Sequence, residues 1–379
     1  MTISLTDPFM KRRLGLVLTT LFLAQLFSAF SYAGPLDNWN ARTSGVTNRL
    51  MAVTYANGTF VAVGREGTIL RSTNGVNWVR YTGYIGEDLY GVTFGKGKFV
   101  AIGYLADAFD STDGVSWSSA HWTRLTFYPF GGITFANGLF VIAGLSGIVM
   151  TSGDGISWYQ QRSGGVDLNA LAFGCGQFAA AGMNGTIITS PNGTNWTSRS
   201  SGTINPFLSL GGGPYRLLAG GGFGLLSTST DATNWAASTI PTSPTTRGVC
   251  YGNGVWVLVC SSGKIGTSLD GTNWIFRTSG TTSTFRAVTY GQGTFVAVGD
   301  NGTIRQSDKL GDVAVRWAAV PEITISGQPG QTCRIESSDG LSASWVERDN
   351  LQLTDYLQVW QDLDPNLPAQ RFYRAAFSP

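Results

Sequence analysis

The stretch that decides the fold runs Met51-Ala-Val-Thr-Tyr-Ala-Asn-Gly-Thr-Phe-Val-Ala-Val-Gly64, then Gly67-Thr-Ile-Leu-Arg-Ser-Thr-Asn-Gly-Val-Asn-Trp78. It returns almost verbatim as Arg286-Ala-Val-Thr-Tyr-Gly-Gln-Gly-Thr-Phe-Val-Ala-Val-Gly299 and Gly302-Thr-Ile-Arg-Gln-Ser307. Between these copies a tryptophan keeps time, at Trp39, Trp78, Trp117, Trp158, Trp196, Trp235 and Trp274, with steps of about 39 residues. That step is the length of one four-stranded propeller blade. The repeat therefore predicts an all-β protein, a seven-bladed β-propeller over residues 34–312, with four-stranded blades.

The opening half of each unit reads as a β-hairpin. Its turn is Asn57-Gly58, Lys96-Gly97, Asn137-Gly138, Cys175-Gly176, Gly212-Gly213, Asn253-Gly254 and Gln292-Gly293. Glycine in the second turn position supplies the positive φ that a two-residue hairpin demands. The flanking strands, such as Phe60-Val-Ala-Val63, are apolar without polar alternation, as strands covered on both faces are. Phe60, Phe99, Phe140, Phe178, Tyr215, Trp256 and Phe295 share one repeat position, which the pattern assigns to the core between blades.

The second half carries a tight loop ahead of the tryptophan. Examples are Ser72-Thr-Asn-Gly-Val-Asn-Trp78, Ser111-Thr-Asp-Gly-Val-Ser-Trp117 and Ser268-Leu-Asp-Gly-Thr-Asn-Trp274. Asp or Asn before Gly is turn chemistry, because the side chain bonds local backbone while Gly takes the left-handed residue. These loops resemble the Asp-box (BNR-like) repeats of sialidases and of photosystem II assembly-factor propellers, with one residue fewer between the acid and the tryptophan. The resemblance implies a structural role for the box, on the face away from any reacting centre. Calcium is disfavoured, since each loop offers a single carboxylate or amide.

The two ends of the repeat fit each other. The seventh unit lacks a tryptophan after Ser307-Asp308, and Asp37-Asn38-Trp39 has no hairpin before it. Pairing the two makes the N-terminal strand close the last blade and leaves no sheet edge open. Beyond Val313 the period stops, and five short strand-like runs predict a small antiparallel, sandwich-like β module over 313–379. It is similar to modules ending in a Phe-Tyr-Arg strand in exported bacterial repeat proteins; here that strand is Arg371-Phe-Tyr-Arg374.

Residues 1–33 read as a secretory signal: Lys11, Arg12 and Arg13, an apolar run from Leu14, and a small-residue cleavage site at Ser31-Tyr32-Ala33. Met10 is a second candidate start, and a retained anchor over 14–30 is the competing reading. A secreted, periplasmic or cell-envelope location follows from the cleaved reading. Export permits disulfides, yet the cysteines do not form a framework. Pairing about Asn253-Gly254 would set Cys250 opposite Val257 and Cys260 opposite Arg247, apart from each other.

Charged residues make up 13% of the chain and the net charge is +2, which gives no footprint for nucleic acid. The single histidine, His121, excludes a multi-histidine metal site. No motif calls for a cofactor, a metal or a catalytic residue. A sialidase would need an arginine cluster and a tyrosine–glutamate pair, and Glu66 and Glu87 match no such pattern. A carboxylate pair drawn from Asp88, Asp107, Asp110 and Asp167 is not singled out either.

Binding is left, on the face that carries the connections between blades. The connection Tyr81–Tyr90 holds Tyr84 and Tyr90, and the stretch Ala120–Phe130 holds Trp122, Arg124 and Tyr128 beside His121. Aromatics with an arginine on loops suit a protein or an extracellular glycan. One position at the start of each innermost strand varies freely, as Met51, Tyr90, Gly131, Asn169, Pro206, Arg247 and Arg286, and repeat geometry rings these around the channel mouth. Arg247 and Arg286, on adjacent blades and unpaired in the sequence pattern, are candidate anchors for a carboxylate. The reading is a monomeric, non-enzymatic scaffold; a glycan-cleaving hydrolase and a purely structural repeat protein are the alternatives.

Overall fold

The computed structural model describes residues 34–104, 108–120, 130–240, 244–310, 315–316, 322–326, 330–338, 344–353, 357–361 and 372–377. Among these there is no α-helix, and none long and apolar enough to cross a membrane. Seven four-stranded antiparallel sheets are present. The first is Leu50–Ala56, Thr59–Gly64, Ile69–Ser72 and Val79–Arg80. The others repeat it in chain order until Phe285–Gly291, Thr294–Gly299 and Ile304–Ser307, whose fourth strand is Trp39–Arg42. There Trp39 lies opposite Ser307 and Arg42 opposite Ile304.

Second strands are buried end to end, as in Thr59–Gly64 and Val255–Cys260. Alternate side chains serve different neighbours. Val61 and Val63 pack with Leu89, Phe99 and Ala101 of the next sheet, while Phe60 and Ala62 pack with Val296 and Val298 of the last. Innermost strands touch in a closed cycle, from Leu50–Ala56 round to Phe285–Gly291 and back. The result is a β-propeller. Its core is a set of apolar layers between sheets, not one central nucleus.

The hairpin turns follow the residue chemistry in six sheets. Asn57, Lys96, Asn137, Cys175, Asn253 and Gln292 take φ of 46–51°, with the following glycines at 72–78°. The fifth sheet differs. Gly212 pairs with Leu217, so the turn is the four-residue loop Gly213–Arg216 and not Gly212-Gly213. Tyr215 is consequently 72% exposed, and Leu217 holds the core position expected for it. Leu217 lies opposite Ser229 as Phe60 lies opposite Ser72, which fixes the equivalence.

A β-bulge opens every innermost strand, at Met51, Tyr90, Gly131, Asn169, Leu208, Arg247 and Arg286. The extra residue slips the register by one. Cys260 therefore lies opposite Thr246 rather than Arg247. In the fifth sheet the longer turn makes Leu208, not Pro206, the member of the channel ring. Cys250 does face Val257, and all four cysteines are free.

The tight loops share one bonding scheme. In the third sheet Asp154 Oδ1 accepts from the Ser152 hydroxyl and from the backbone N–H of Ile156 and Ser157, at 2.9, 2.8 and 2.7 Å. Asn74 and Asn192 do the same with their amide oxygens. Indole N–H groups reach back three residues in several of them, as from Trp78 to Gly75 O and from Trp196 to Gly193 O, whereas the buried Trp274 N–H has no partner. Burial opposes ionisation of Asp154, but these donors outweigh it and hold its pKa at about 2. Asp113, Asp231 and Asp270 are held low by the same backbone and hydroxyl donors.

An acid whose pKa is depressed by folding stabilises above its unfolded value near 4 and loses that contribution as pH falls through the folded value. Thermal melts are therefore expected to drop between about pH 4 and pH 2. Replacing Asp113, Asp154, Asp231 and Asp270 with Asn, the residue already used at Asn74 and Asn192, should flatten that drop. Equal acid sensitivity in the fourfold variant would contradict the assignment.

Beyond Leu310, the described strands form two three-stranded sheets. One joins Val315–Arg316, Glu322–Ser326 and Leu357–Gln361, and the other joins Val346–Gln352, Thr332–Ser338 and Phe372–Phe377. Ile325, Cys333, Ile335, Leu353 and Tyr373 form their core. The Arg374 guanidinium sits 4.5 Å over the Trp345 ring and pairs with Glu336.

Candidate functional site

Strand direction sorts the loops onto two faces. The first-to-second turns and the tight Asp or Asn loops lie at one end of every sheet. The second-to-third loops and the connections between sheets lie at the other, together with the bulged residues. That connection face also carries Tyr84, Ile204 and Phe223 at 93, 85 and 85% exposure, and the less exposed Tyr104 and Met183.

At its centre the seven innermost strands line a channel cavity of about 220 Å³. Met51, Tyr90, Gly131, Asn169, Leu208, Arg247 and Arg286 all contribute to its wall. Asn169 Nδ2 donates to Phe207 O at 2.8 Å and ties two strands of the ring. Arg286 is not unpaired: its Nε and Nη2 donate to the Asp300 carboxylate at 2.9 and 3.0 Å. Arg49 Nε reaches Asp300 Oδ1 as well, at 2.6 Å. Burial opposes ionisation of Asp300, and the two guanidiniums overcome it and lower its pKa.

Arg247 is different. Its Nε is buried and has no hydrogen-bond partner. Burial and the nearby Arg286 charge both lower its pKa, against the pull of Asp300. Two cations thus share one carboxylate, and a third guanidinium stands beside them short of an acceptor. A buried donor without a partner costs free energy that an incoming anion would recover.

Tyr90 stands on the next arc of the ring, its ring centroid 6.4 Å from that of Tyr104. Burial first, then the Asp88 charge, raises its pKa. Tyr84 is fully in solvent in the connection to the second sheet. Trp122, Arg124 and Tyr128, with His121 and Asp107, lie outside the described residues.

The acidic residues on this face serve the scaffold. Asp88 Oδ1 accepts from the backbone N–H of Glu66 at 2.9 Å, and its other oxygen pairs with Arg65 at 3.6 Å. Asp167 Oδ1 accepts from Ser146 N–H at 2.8 Å in the same way. Glu66 accepts from Asn48 Nδ2 at 3.1 Å, while toward the opposite face Asp110 pairs with Lys98 at 3.3 Å. Arg199 and Arg277 bond threonine hydroxyls of the adjacent strand at 2.8 and 2.9 Å, and Arg42 bonds Gln306 at 2.8 Å. Among the described residues no group of acidic, histidine and cysteine side chains could hold a metal ion.

No protein-family profile and no curated protein matches the chain. Solved structures do. The chain is similar to YCF48 bound to D1 peptide, at 18% identity and a TM-score of 0.62, over 74% of this chain and 99% of that one. It is similar to the WD40 β-propeller domain of Doa1, at 13% identity and a TM-score of 0.62, over 75% and 98%. It is also similar to virginiamycin B lyase from Staphylococcus aureus, at 10% identity and 0.62, over 72% and 99%. At such identities these likenesses show the fold, a β-propeller of repeated units.

Proposed function

We propose that this chain is an exported, non-enzymatic scaffold that binds a protein partner through the connection face. In this reading residues 34–312 are a seven-bladed propeller closed by the Trp39–Arg42 strand. A separate β module follows, and residues 1–33 direct export to the cell envelope or beyond. The tight loops act as Asp boxes, turn staples on the opposite face.

The observation that carries the reading is the channel mouth. An arginine with a buried, partnerless Nε sits there within a ring of side chains that vary while the scaffold around them repeats. Exposed Tyr84, Ile204 and Phe223 surround it, a mixture of apolar anchors and a cation that suits a peptide segment. That YCF48 is seen with D1 peptide supports a peptide ligand for a propeller of this shape. The sequence-placed Trp122, Arg124 and Tyr128 belong to the same proposed surface.

Photo-crosslinkers placed at Tyr84 and, as a control, at Val76 on the opposite face test the surface. Crosslinks to a common partner from Tyr84 alone are expected. Arg247→Ala and Tyr84→Ala should each weaken that partner's binding by about 1–3 kcal/mol with an unchanged melt. Crosslinks from Val76 alone would place the partner on the other face. Glycoside turnover abolished by Glu66→Gln would replace the scaffold reading with a hydrolase.

A further inference from the structure

The fifth sheet breaks the repeat on the face opposite the channel mouth. In the other six sheets an aromatic ring of the first strand pairs with one of the second, as Tyr251 does with Trp256 at a centroid distance of 5.0 Å. At the equivalent places the fifth sheet has Gly212 and Leu217, followed by none of the tight turn. Its four-residue loop lifts Pro214 and Tyr215 clear of the sheet. A cavity of about 250 Å³ opens between this loop and the sixth sheet, lined by Pro214, Tyr215, Arg216, Tyr251, Trp256 and Asp270.

Its walls and rim differ in kind. Tyr215, Tyr251 and the edge of Trp256 give an aromatic wall, with Tyr215 at the loop tip 72% exposed. The rim carries one fixed donor and one fixed acceptor. Arg216 Nη1 is anchored on Thr228 Oγ1 at 3.2 Å, the stem of the arginine lies against Gly271, and the residue lines the cavity. Asp270 Oδ1 is held by Ser268, Thr272 and Asn273 at 2.9, 2.8 and 2.8 Å, and Oδ2 accepts only from Asn273 Nδ2 at 2.7 Å. That oxygen keeps acceptor capacity while its orientation is locked.

We propose that this cavity is a subsite for a single pyranose ring of a glycan, stacked on Tyr215 and Tyr251 and hydrogen-bonded by Arg216 and Asp270. A pyranose has an apolar C–H face and a rim of hydroxyls, each both donor and acceptor. That pattern complements an aromatic wall with a donor and an acceptor at its edge. The volume lies below the usual range for drug-sized ligands, so one ring fills it and an oligosaccharide would extend outward past Pro214. A proline ring would also stack here, but a polyproline segment has no N–H or O–H to offer the Asp270 carboxylate. The site is independent of the partner surface at the channel mouth, and neither needs the other.

Saturation-transfer NMR on the full chain tests it. The probes are the methyl glycosides of β-D-glucose, β-D-galactose, α-D-mannose and N-acetyl-β-D-glucosamine. At least one is expected to receive saturation at its C–H protons. Tyr215→Ala, at an exposed loop tip, and Asp270→Asn, which mimics Asn74 and Asn192, should each weaken it by about tenfold. Tyr159→Ala, exposed on an outer strand elsewhere, should leave it unchanged. Absence of transfer to all four glycosides overturns the proposal. So does transfer that survives both pocket variants, or occupation of the pocket by a polyproline peptide in preference to any glycoside.

Discussion

Removing residues 36–44 should lower the melting temperature on the order of 10 °C or more, because it strips the outer strand from the last sheet. Trp39 alone carries much of the effect. It is 6% exposed, packs with Ile265, Phe285 and Phe295, and donates its indole N–H to Leu36 O at 3.0 Å. Trp39→Ala should cost about 3–5 kcal/mol, as for other buried tryptophans cut back to a methyl group. The deletion adds an open edge along Ile304–Ser307, where four residues lose their ladder partners. Thermal melts of both variants, read by near-ultraviolet circular dichroism, settle the matter. A deletion variant that melts with the wild type would mean that this strand closes nothing.

A methyl group at Gly263 should be almost as damaging. Gly263 has φ of +70°, and an added Cβ would stand 1.9 Å from the Thr281 carbonyl oxygen. Neither atom can yield, since both are backbone held by the connection to the next sheet. Gly67, Gly185 and Gly302 repeat the contact against Ile85, Thr203 and Val46 oxygens, at 1.9, 1.9 and 2.0 Å. Gly263→Ala is expected to cost on the order of 3 kcal/mol or more. The matched comparison is Gly58→Ala, at φ of +72° with nothing within 4 Å of the added atom. It carries the left-handed penalty alone, about 1–2 kcal/mol. Chemical denaturation of both separates the two contributions; equal losses would show that the close approach is relieved by a small shift of the connection.

What the sequence made legible was local chemistry repeated often. Asn57-Gly58 and its equivalents name a two-residue turn because few residue pairs tolerate two positive φ angles in succession. The orphan Trp39 strand and the unit that ends at Ser307 were readable as complements for the same reason. The bulges were not readable. Their position accepts Met, Tyr, Gly, Asn, Leu and Arg, so no residue type marks it, and a one-residue slip moves every assignment beyond it. That slip put Cys260 opposite the wrong partner, whereas the misplaced turn of the fifth unit put Pro206, two residues early, in the place of Leu208. In the fifth unit Gly212-Gly213 imitated a turn, although Pro214 directly after it was a signal for a longer loop.

The candidate site was legible in outline and not in its pairing. Arg247 and Arg286 stand at equivalent places in adjacent units and look alike in sequence. Asp300, in the loop after the second strand, comes back over Arg286, and no acid occupies that place in the preceding unit, where Ser261 stands instead. One arginine is thereby committed to the scaffold, and the other is left with a buried, partnerless Nε.

Bulged residues have a consequence for how such a ring changes over time. Each of the seven is outside the register of its ladder, so at Met51, Tyr90, Leu208 and Arg247 the side chain can be exchanged without disturbing the pairs on either side. The scaffold thus offers four separately writable characters around one opening. A library that varies Met51, Tyr90, Leu208 and Arg247, with Asn169 and Arg286 kept for their bonds and Gly131 kept because an added Cβ would stand 2.2 Å from the Leu168 carbonyl oxygen, would sample new specificities on an unaltered frame.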